Sequence, residues 1–445
     1  MFENIIGQAE TVSALRGELT GERFPRAALF FGPPYAGKLS TALETARVLT
    51  CSEGRGEWSC ECATCRMQKE LTHAQTVLLG PRYADVEIAA SADALMRSRK
   101  PAALYLLLRA VRKLTRRFDP WIADVDDPRV KSMQERVGQL EELLDGLSPG
   151  SELPQARELG VLLERIAATA APVAAQVRSD TISIGQVRRL AAWAHLTASG
   201  SRKIALIENA DRMQDSARNA LLKLLEEPPA AVHFVLLTTR RAAIIPTILS
   251  RLRPYSFPAR SVEEERDVMA KIFRRDAEGV IRGDAEGVIR GDAEGVIRGD
   301  AEGVIRGDAE GVIRGDAEGF SGLRGYFLAW REINPEKLSQ LARRFMELAR
   351  RTNDPGLDIV EEMSELLPER RPQAGRSSRE TISAFLEELV AHFRELLRQG
   401  SASPESLERW NAAARDAQSR VETYNMQPAA VVEALFYRLR EEAAG

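Results

Sequence analysis

The sequence predicts an α/β fold with an all-helical C-terminal region, and three observations carry that prediction. Residues 32–40 read GPPYAGKLS, close to the phosphate-loop pattern G-x-x-x-x-G-K-[ST]. Short apolar runs (AALFF at 27–31, KIALIE at 203–208, HFVLLTT at 233–239) have the length and composition of buried strands. Beyond residue 330, residues 338–351, 379–398 and 431–442 are helical by period, with loops such as SASPES between them.

The loop follows the AALFF strand and precedes a helical stretch at 41–50. Strand, glycine loop, helix is the order in which backbone N–H groups and a helix dipole point at phosphate. Gly32, Gly37 and Lys38 fill three of the four fixed places, and Leu39 stands where a hydroxyl normally holds magnesium. A leucine methyl cannot coordinate a hard cation. The KIALIE strand ends in Glu208, the place of a Walker B carboxylate, and the next residue is Asn209. An amide cannot serve as the base that orients an attacking water. Two elements of hydrolysis are therefore missing together. The site reads as a degenerate one that leaves nucleotide binding open and is not expected to turn over ATP with magnesium.

At 445 residues, about three domains are expected. With 44% hydrophobic and 29% charged residues, the composition is that of a globular chain. The net charge of -3 decides nothing about nucleic acid. No signal peptide and no membrane-length apolar run is visible, so a cytoplasmic protein without a membrane partner is expected. All four cysteines, Cys51, Cys60, Cys62 and Cys65, fall within one short segment. Such a cluster reads as metal binding rather than a disulfide framework, and four thiolates suit a structural, tetrahedral zinc ion with no open position.

Two stretches interrupt this plan. Residues 276–320 repeat the unit DAEGVIRG five times and end on a truncated copy, DAEGF. Two glycines per unit disfavour a helix, and the unit reads as an expanded surface connection, with a small stacked solenoid as the alternative. Residues 84–178 are mostly helical by period. Leu107, Val111, Leu114 and Phe118 share one face of a first helix; Val130, Met133, Val137, Leu140 and Leu144 suggest a second. Arg109, Arg112, Lys113, Arg116 and Arg117 form a basic face on the first, readable as a DNA-backbone contact or as a solvated face with counter-charges.

The string NALLKLLEEPP at 219–229, the opening F-x-x-x-x-G-Q at 2–8 and PTILSRL at 246–252 together resemble the bacterial DNA polymerase III clamp-loader subunits of the AAA+ family. ENADRM at 208–213 resembles the delta-prime branch more than the gamma/tau ATPases. The resemblance covers roughly 1–83 and 179–258, and the C-terminal helices only in general type. It implies an AAA+ domain with a parallel sheet over 1–258, carrying a zinc module at 51–65 and a helical insertion at about 84–178. A small helical lid over 259–330 containing the repeat, and a helical collar over 331–445, are expected to follow. The family's S-R-C arginine, presented to a neighbour's ATP, falls on Arg251; its cysteine is Leu252 here. Ile6, Thr239 as sensor 1, and Arg324 in SGLRG as sensor 2 join Gly32, Gly37, Lys38 and Glu208 as expected nucleotide-facing residues. The family's cysteine spacing is C-x8-C-x2-C-x2-C, one residue longer between the second and third cysteines than in this chain. The implied partners are gamma/tau- and delta-type subunits, the sliding clamp and primed DNA.

Two other functions compete with an accessory, non-hydrolysing subunit. One is an active gamma/tau-type ATPase in which Ser40 takes over magnesium. That residue is turned about 100° around the helix from the usual position. The other is a DNA-binding scaffold that uses the basic helix 109–117.

Overall fold

Five strands, β1 (Ala27–Phe31), β2 (Thr76–Leu79), β3 (Lys203–Ile207), β4 (Val232–Thr238) and β5 (Arg253–Ser256), form one parallel sheet in the computed structural model. Their order is β2-β3-β4-β1-β5. The structure describes residues 1–445 except 55, 83, 124–126, 178–180, 197–201, 275–321, 331–334, 352–377, 423–425 and 445. The repeat at 276–320 thus lies outside the described residues.

Alternate strand residues feed two layers, as the pleat requires. Ala28, Phe30, Leu78, Ile204 and Leu206 pack with α1 (Ala9–Thr20) and α2 (Lys38–Thr50). A short helix α3 (Ala63–Glu70) follows the cysteine segment. Ala27, Leu29, Val77, Ala205 and Ile207 face the other way, toward α8 (Ile184–His195) and α9 (Asp215–Glu226). Burial on both faces explains why β2, β3 and β4 are buried along their whole length. β5 departs from this rule, with Arg253 and Pro254 exposed. It is an edge strand, where a missing N–H is tolerated.

Between β2 and β3 the chain leaves the sheet and forms α4 (Asp85–Ser98), α5 (Pro101–Thr115), α6 (Pro128–Asp145) and α7 (Ala156–Val177). These four helices have a core of their own. The apolar face expected from Leu107, Val111, Leu114 and Phe118 is buried, as are Leu140 and Leu144 on α6, with Val130, Met133 and Val137 partly buried against them.

After β4 come α10 (Pro246–Leu249), α11 (Val262–Lys271) and α12 (Leu323–Ala329). Capping boxes start α8 at Ser183 with Gln186 and α11 at Ser261 with Glu264.

The chain divides into two compact units, 1–326 and 327–445. α11 and the first residues of α12, from the expected 259–330 segment, group with the first unit. The second unit comprises α13 (Pro335–Arg350), α14 (Ser378–Arg398), α15 (Pro404–Glu422) and α16 (Pro428–Ala444). Each packs on the next and α13 also packs on α16, closing a bundle. At its centre the Phe345 ring meets Phe385 and Phe436 edge-on at 5.2 and 5.3 Å. No helix among the described residues is long and apolar enough to cross a membrane.

Candidate functional site

The glycine loop leaves the C-terminal end of β1, which lies between β4 and β5; from β1 the chain runs toward β2 and from the adjacent β4 toward β5, in opposite directions across the sheet. This is where parallel α/β sheets bind ligands. Gly32 has φ 153°, and a Cβ there would meet the Phe257 carbonyl oxygen at 2.0 Å, so only glycine fits. Gly37 caps α2. Lys38 opens that helix, and its Nζ donates to the carbonyls of Gly32 at 2.8 Å and Pro33 at 2.5 Å. Burial, with Arg260 adding to it, pushes the Lys38 ammonium down to about 8 against the pull of Glu208 and Asp211. The Arg260 guanidinium donates to Ile6 O from Nε at 3.2 Å and from Nη2 at 3.1 Å, and to Tyr35 O. Ile6 therefore meets the loop through Arg260, a residue that no sequence motif singled out.

Glu208 directly follows β3, and both of its oxygens are taken. Arg82 Nη1 donates to Oε1 at 2.5 Å, and Arg117 Nη2 donates to Oε2. Arg82 also pairs with Glu87, which pairs in turn with Lys113. Gly80, at φ 110°, lets the end of β2 approach Glu208, since a Cβ there would lie 2.1 Å from the Glu208 carbonyl oxygen. Arg117 Nε closes the arrangement by donating to Gly80 O at 2.9 Å.

The basic face of 109–117 therefore turns largely inward, which corrects its reading as a DNA contact or a solvated face, while the acidic counter-charges expected beside it are present at Glu87, Asp119, Glu141 and Glu208. Arg112, Lys113 and Arg117 are only 8, 6 and 7% exposed. Arg112 pairs with Glu141 at 3.2 Å, and Arg116 Nη2 donates to the carbonyls of His73 and Thr76. Long cations are buried this deeply only when paired, so this face is neither a DNA contact nor a solvated surface. The scaffold reading that rested on it falls with it.

Asn209 has φ 48°, a left-handed conformation that asparagine tolerates better than most residues. Its Nδ2 donates to Pro81 O at 2.8 Å, which a carboxylate could not do. Asp211 is likewise occupied, accepting from Thr238 Oγ1 at 2.6 Å and Arg240 Nε at 2.9 Å. Thr239, the expected sensor, is the exposed neighbour of this buried threonine. Arg324 is half-buried on α12, whose Leu323 N–H donates to Glu265 at 3.1 Å.

Magnesium at this site would need the Leu39 position and Glu208. Leu39 offers no oxygen, and both oxygens of Glu208 are held by guanidinium groups. The residues present do not fit a divalent ion.

The cysteines give the opposite result. Their four sulfurs lie within 4.8 Å of one another, and Cys51 and Cys60 are 3.8 Å apart. A tetrahedral Zn–S length of ~2.3 Å implies sulfurs ~3.8 Å apart, so this donor set fits zinc despite the shortened Cys60–Cys62 spacing. Cys62 caps α3 by accepting from Cys65 N–H at 3.4 Å. Burial raises the Cys62 thiol, yet hydrogen bonds from Ser52, Thr64 and Cys65 hold it down at about 5. Arg47, fixed by Glu44, donates to Cys65 Sγ at 3.2 Å. Metal analysis of protein purified without chelators is expected to find about one zinc per chain. Folded protein with four titratable thiols and no metal would rule this out.

Arg251 lies elsewhere. It precedes the N-terminal end of β5, whereas the glycine loop follows the C-terminal end of β1, the strand beside it. Its side chain is 34% exposed, pairs with Glu226 at 2.7 Å and donates to Thr247 O at 2.8 Å.

Residues 163–261 match the family described as DNA polymerase III, delta subunit. A DNA polymerase III subunit delta' from Pseudomonas aeruginosa is 42% identical over 71 residues, 16% of this chain and 22% of that protein. A DNA polymerase III subunit tau from Salmonella typhimurium is 39% identical over 79 residues, 18% of this chain and 12% of that protein. The matched segments thus span less than a quarter of those relatives. A solved gamma subunit-related protein of DNA polymerase III from Thermotoga maritima shares 16% identity, covering 62% of this chain and 90% of that one. Its TM-score of 0.27 is too low to bear on the fold. Over part of its length, the chain resembles subunits of bacterial DNA polymerase III.

Proposed function

We propose that this chain is an accessory subunit of a DNA polymerase III clamp loader, one that does not hydrolyse ATP and supplies Arg251 to a neighbouring subunit's nucleotide. The observation that carries this reading is the position of Arg251. In a parallel sheet, strand starts and strand ends lie on opposite edges. Strands of four or five residues at ~3.3 Å per residue put about 13–17 Å between those edges. Arg251 therefore sits too far away to serve the loop of its own chain, and its partial exposure leaves it available to another. It also falls inside the segment that resembles the family.

The partners on this reading are gamma/tau- and delta-type subunits, with the sliding clamp and primed DNA reached through the assembly in the cytoplasm. The helical unit after residue 330 would serve as the collar, the 259–330 segment as the lid, and zinc as a structural ion at 51–65. The rival gamma/tau-type reading needs Ser40 to take over magnesium, and the occupied oxygens of Glu208 weigh against it.

Steady-state ATPase of the isolated chain, and of the complex reconstituted with gamma/tau- and delta-type subunits, tests the proposal. Little or no turnover is expected from the chain alone, with stimulated turnover in the complex. Turnover by the isolated chain that Lys38→Ala abolishes would sink it.

A further inference from the structure

The charges gathered around Glu208 do not balance. Within the described ion pairs that join them, Glu208 and Glu87 contribute two negative charges, and Arg82, Arg117 and Lys113 contribute three positive ones, a net of one positive. None of the five side chains is more than 19% exposed. In a metal-dependent phosphate site this region would present spare negative charge to a divalent ion. Here it presents a surplus cation.

The two arginines are fixed as well as paired. Arg117 donates to Glu208, to Gly80 O and to Lys113 O, so three acceptors hold one guanidinium. Arg82 spans Glu208 and Glu87. A divalent ion could reach Glu208 only by displacing one of them, which would leave a guanidinium without its carboxylate in a nearly dry place. Arginine cannot relieve this by losing its proton, since it stays charged at any ordinary pH.

Both arginines come from the segment between β2 and β3. Arg82 follows β2, and Arg117 lies in the turn just after α5. Meanwhile the loop keeps Gly32, Gly37 and Lys38, with the Lys38 Nζ held by the carbonyls of Gly32 and Pro33 at 2.8 and 2.5 Å.

We propose that Arg82 and Arg117 stand in permanently for the divalent cation at Glu208, so that the loop around Lys38 takes nucleotide phosphates without a metal ion. The ligand class is a metal-free nucleoside di- or triphosphate. This goes beyond the clamp-loader reading and does not depend on it, because it concerns the isolated chain.

The test uses the full chain and fluorescent mant-ADP, titrated with magnesium and, separately, with EDTA. Wild-type protein is expected to bind in both, with affinities within about twofold. Absence of binding in EDTA, or about tenfold tighter binding with magnesium, overturns the proposal. Leu39→Thr restores the missing hydroxyl and leaves the arginines in place, so it is expected to stay indifferent to magnesium. A magnesium response in Leu39→Thr alone would mean that the arginines do not exclude the ion, and the proposal falls. Leu39→Thr combined with Arg82→Gln and Arg117→Gln is expected to gain a magnesium response of about fivefold or more. A folded triple variant that gains none also overturns it. Should the triple variant not fold, the wild type and Leu39→Thr still decide the matter.

Discussion

Arg251→Ala is expected to cut the DNA- and clamp-stimulated ATPase of the reconstituted complex by up to ~10³-fold, the lower end of what a trans-acting arginine contributes to phosphoryl transfer. Arg251→Lys should recover only part of the rate. The transition state spreads charge over several oxygens, and a planar, always-charged fork matches that better than a point ammonium. The same substitution should hardly disturb folding. The pair with Glu226 is partly exposed on both sides, and pairs of that kind contribute little to stability. Loss of activity with normal melting and normal assembly would therefore locate the defect in chemistry at the subunit boundary. Unchanged stimulated ATPase and unchanged clamp loading in an intact Arg251→Ala complex would refute the trans-acting role.

The parts of this fold that could be read from sequence are those decided by local pattern. Buried strands appear as continuous apolar runs because both faces of the sheet are covered, and the glycine loop appears because a Cβ at Gly32 has nowhere to go. The apolar faces of α5 and α6 were visible by period for the same reason. What stayed hidden was the fate of the charges. A helical period separates two faces and cannot say that the polar one will also be buried. The partners of Glu208 lie 91 and 126 positions away, at Arg117 and Arg82. No local signal marks either as its partner. Asn209 read as a missing base; in the fold it is a left-handed residue whose amide reaches Pro81 O. Between Thr238 and Thr239 the strand's end decides which hydroxyl points inward, and that is a matter of one residue.

Glu87→Ala should be among the most damaging single changes outside the apolar cores. Glu87 is the only link between Lys113 and Arg82 among the described ion pairs, and its side chain is 15% exposed. Truncating it leaves Lys113, whose side chain is only 8% exposed, without its carboxylate and takes one of two partners from Arg82. Removing one member of a buried ion pair costs about 3–5 kcal/mol, because the other charge stays desolvated. The urea midpoint of Glu87→Ala should fall accordingly, and Glu87→Gln, which keeps shape and some hydrogen bonding, should fall less. The acid dependence gives an independent check. Burial raises the Glu87 carboxyl, but Arg82 and Lys113 outweigh this and hold it well below the usual carboxylate range. A depressed folded value means that the ionised group contributes its full stability above the unfolded value of ~4.3 and loses it as pH falls toward the folded one. The stability gap between wild type and Glu87→Gln should therefore shrink as pH falls below about 4. A gap under about 1 kcal/mol at neutral pH, or one that does not shrink in acid, would mean that the network around Glu208 does not hold the inserted helices to the sheet.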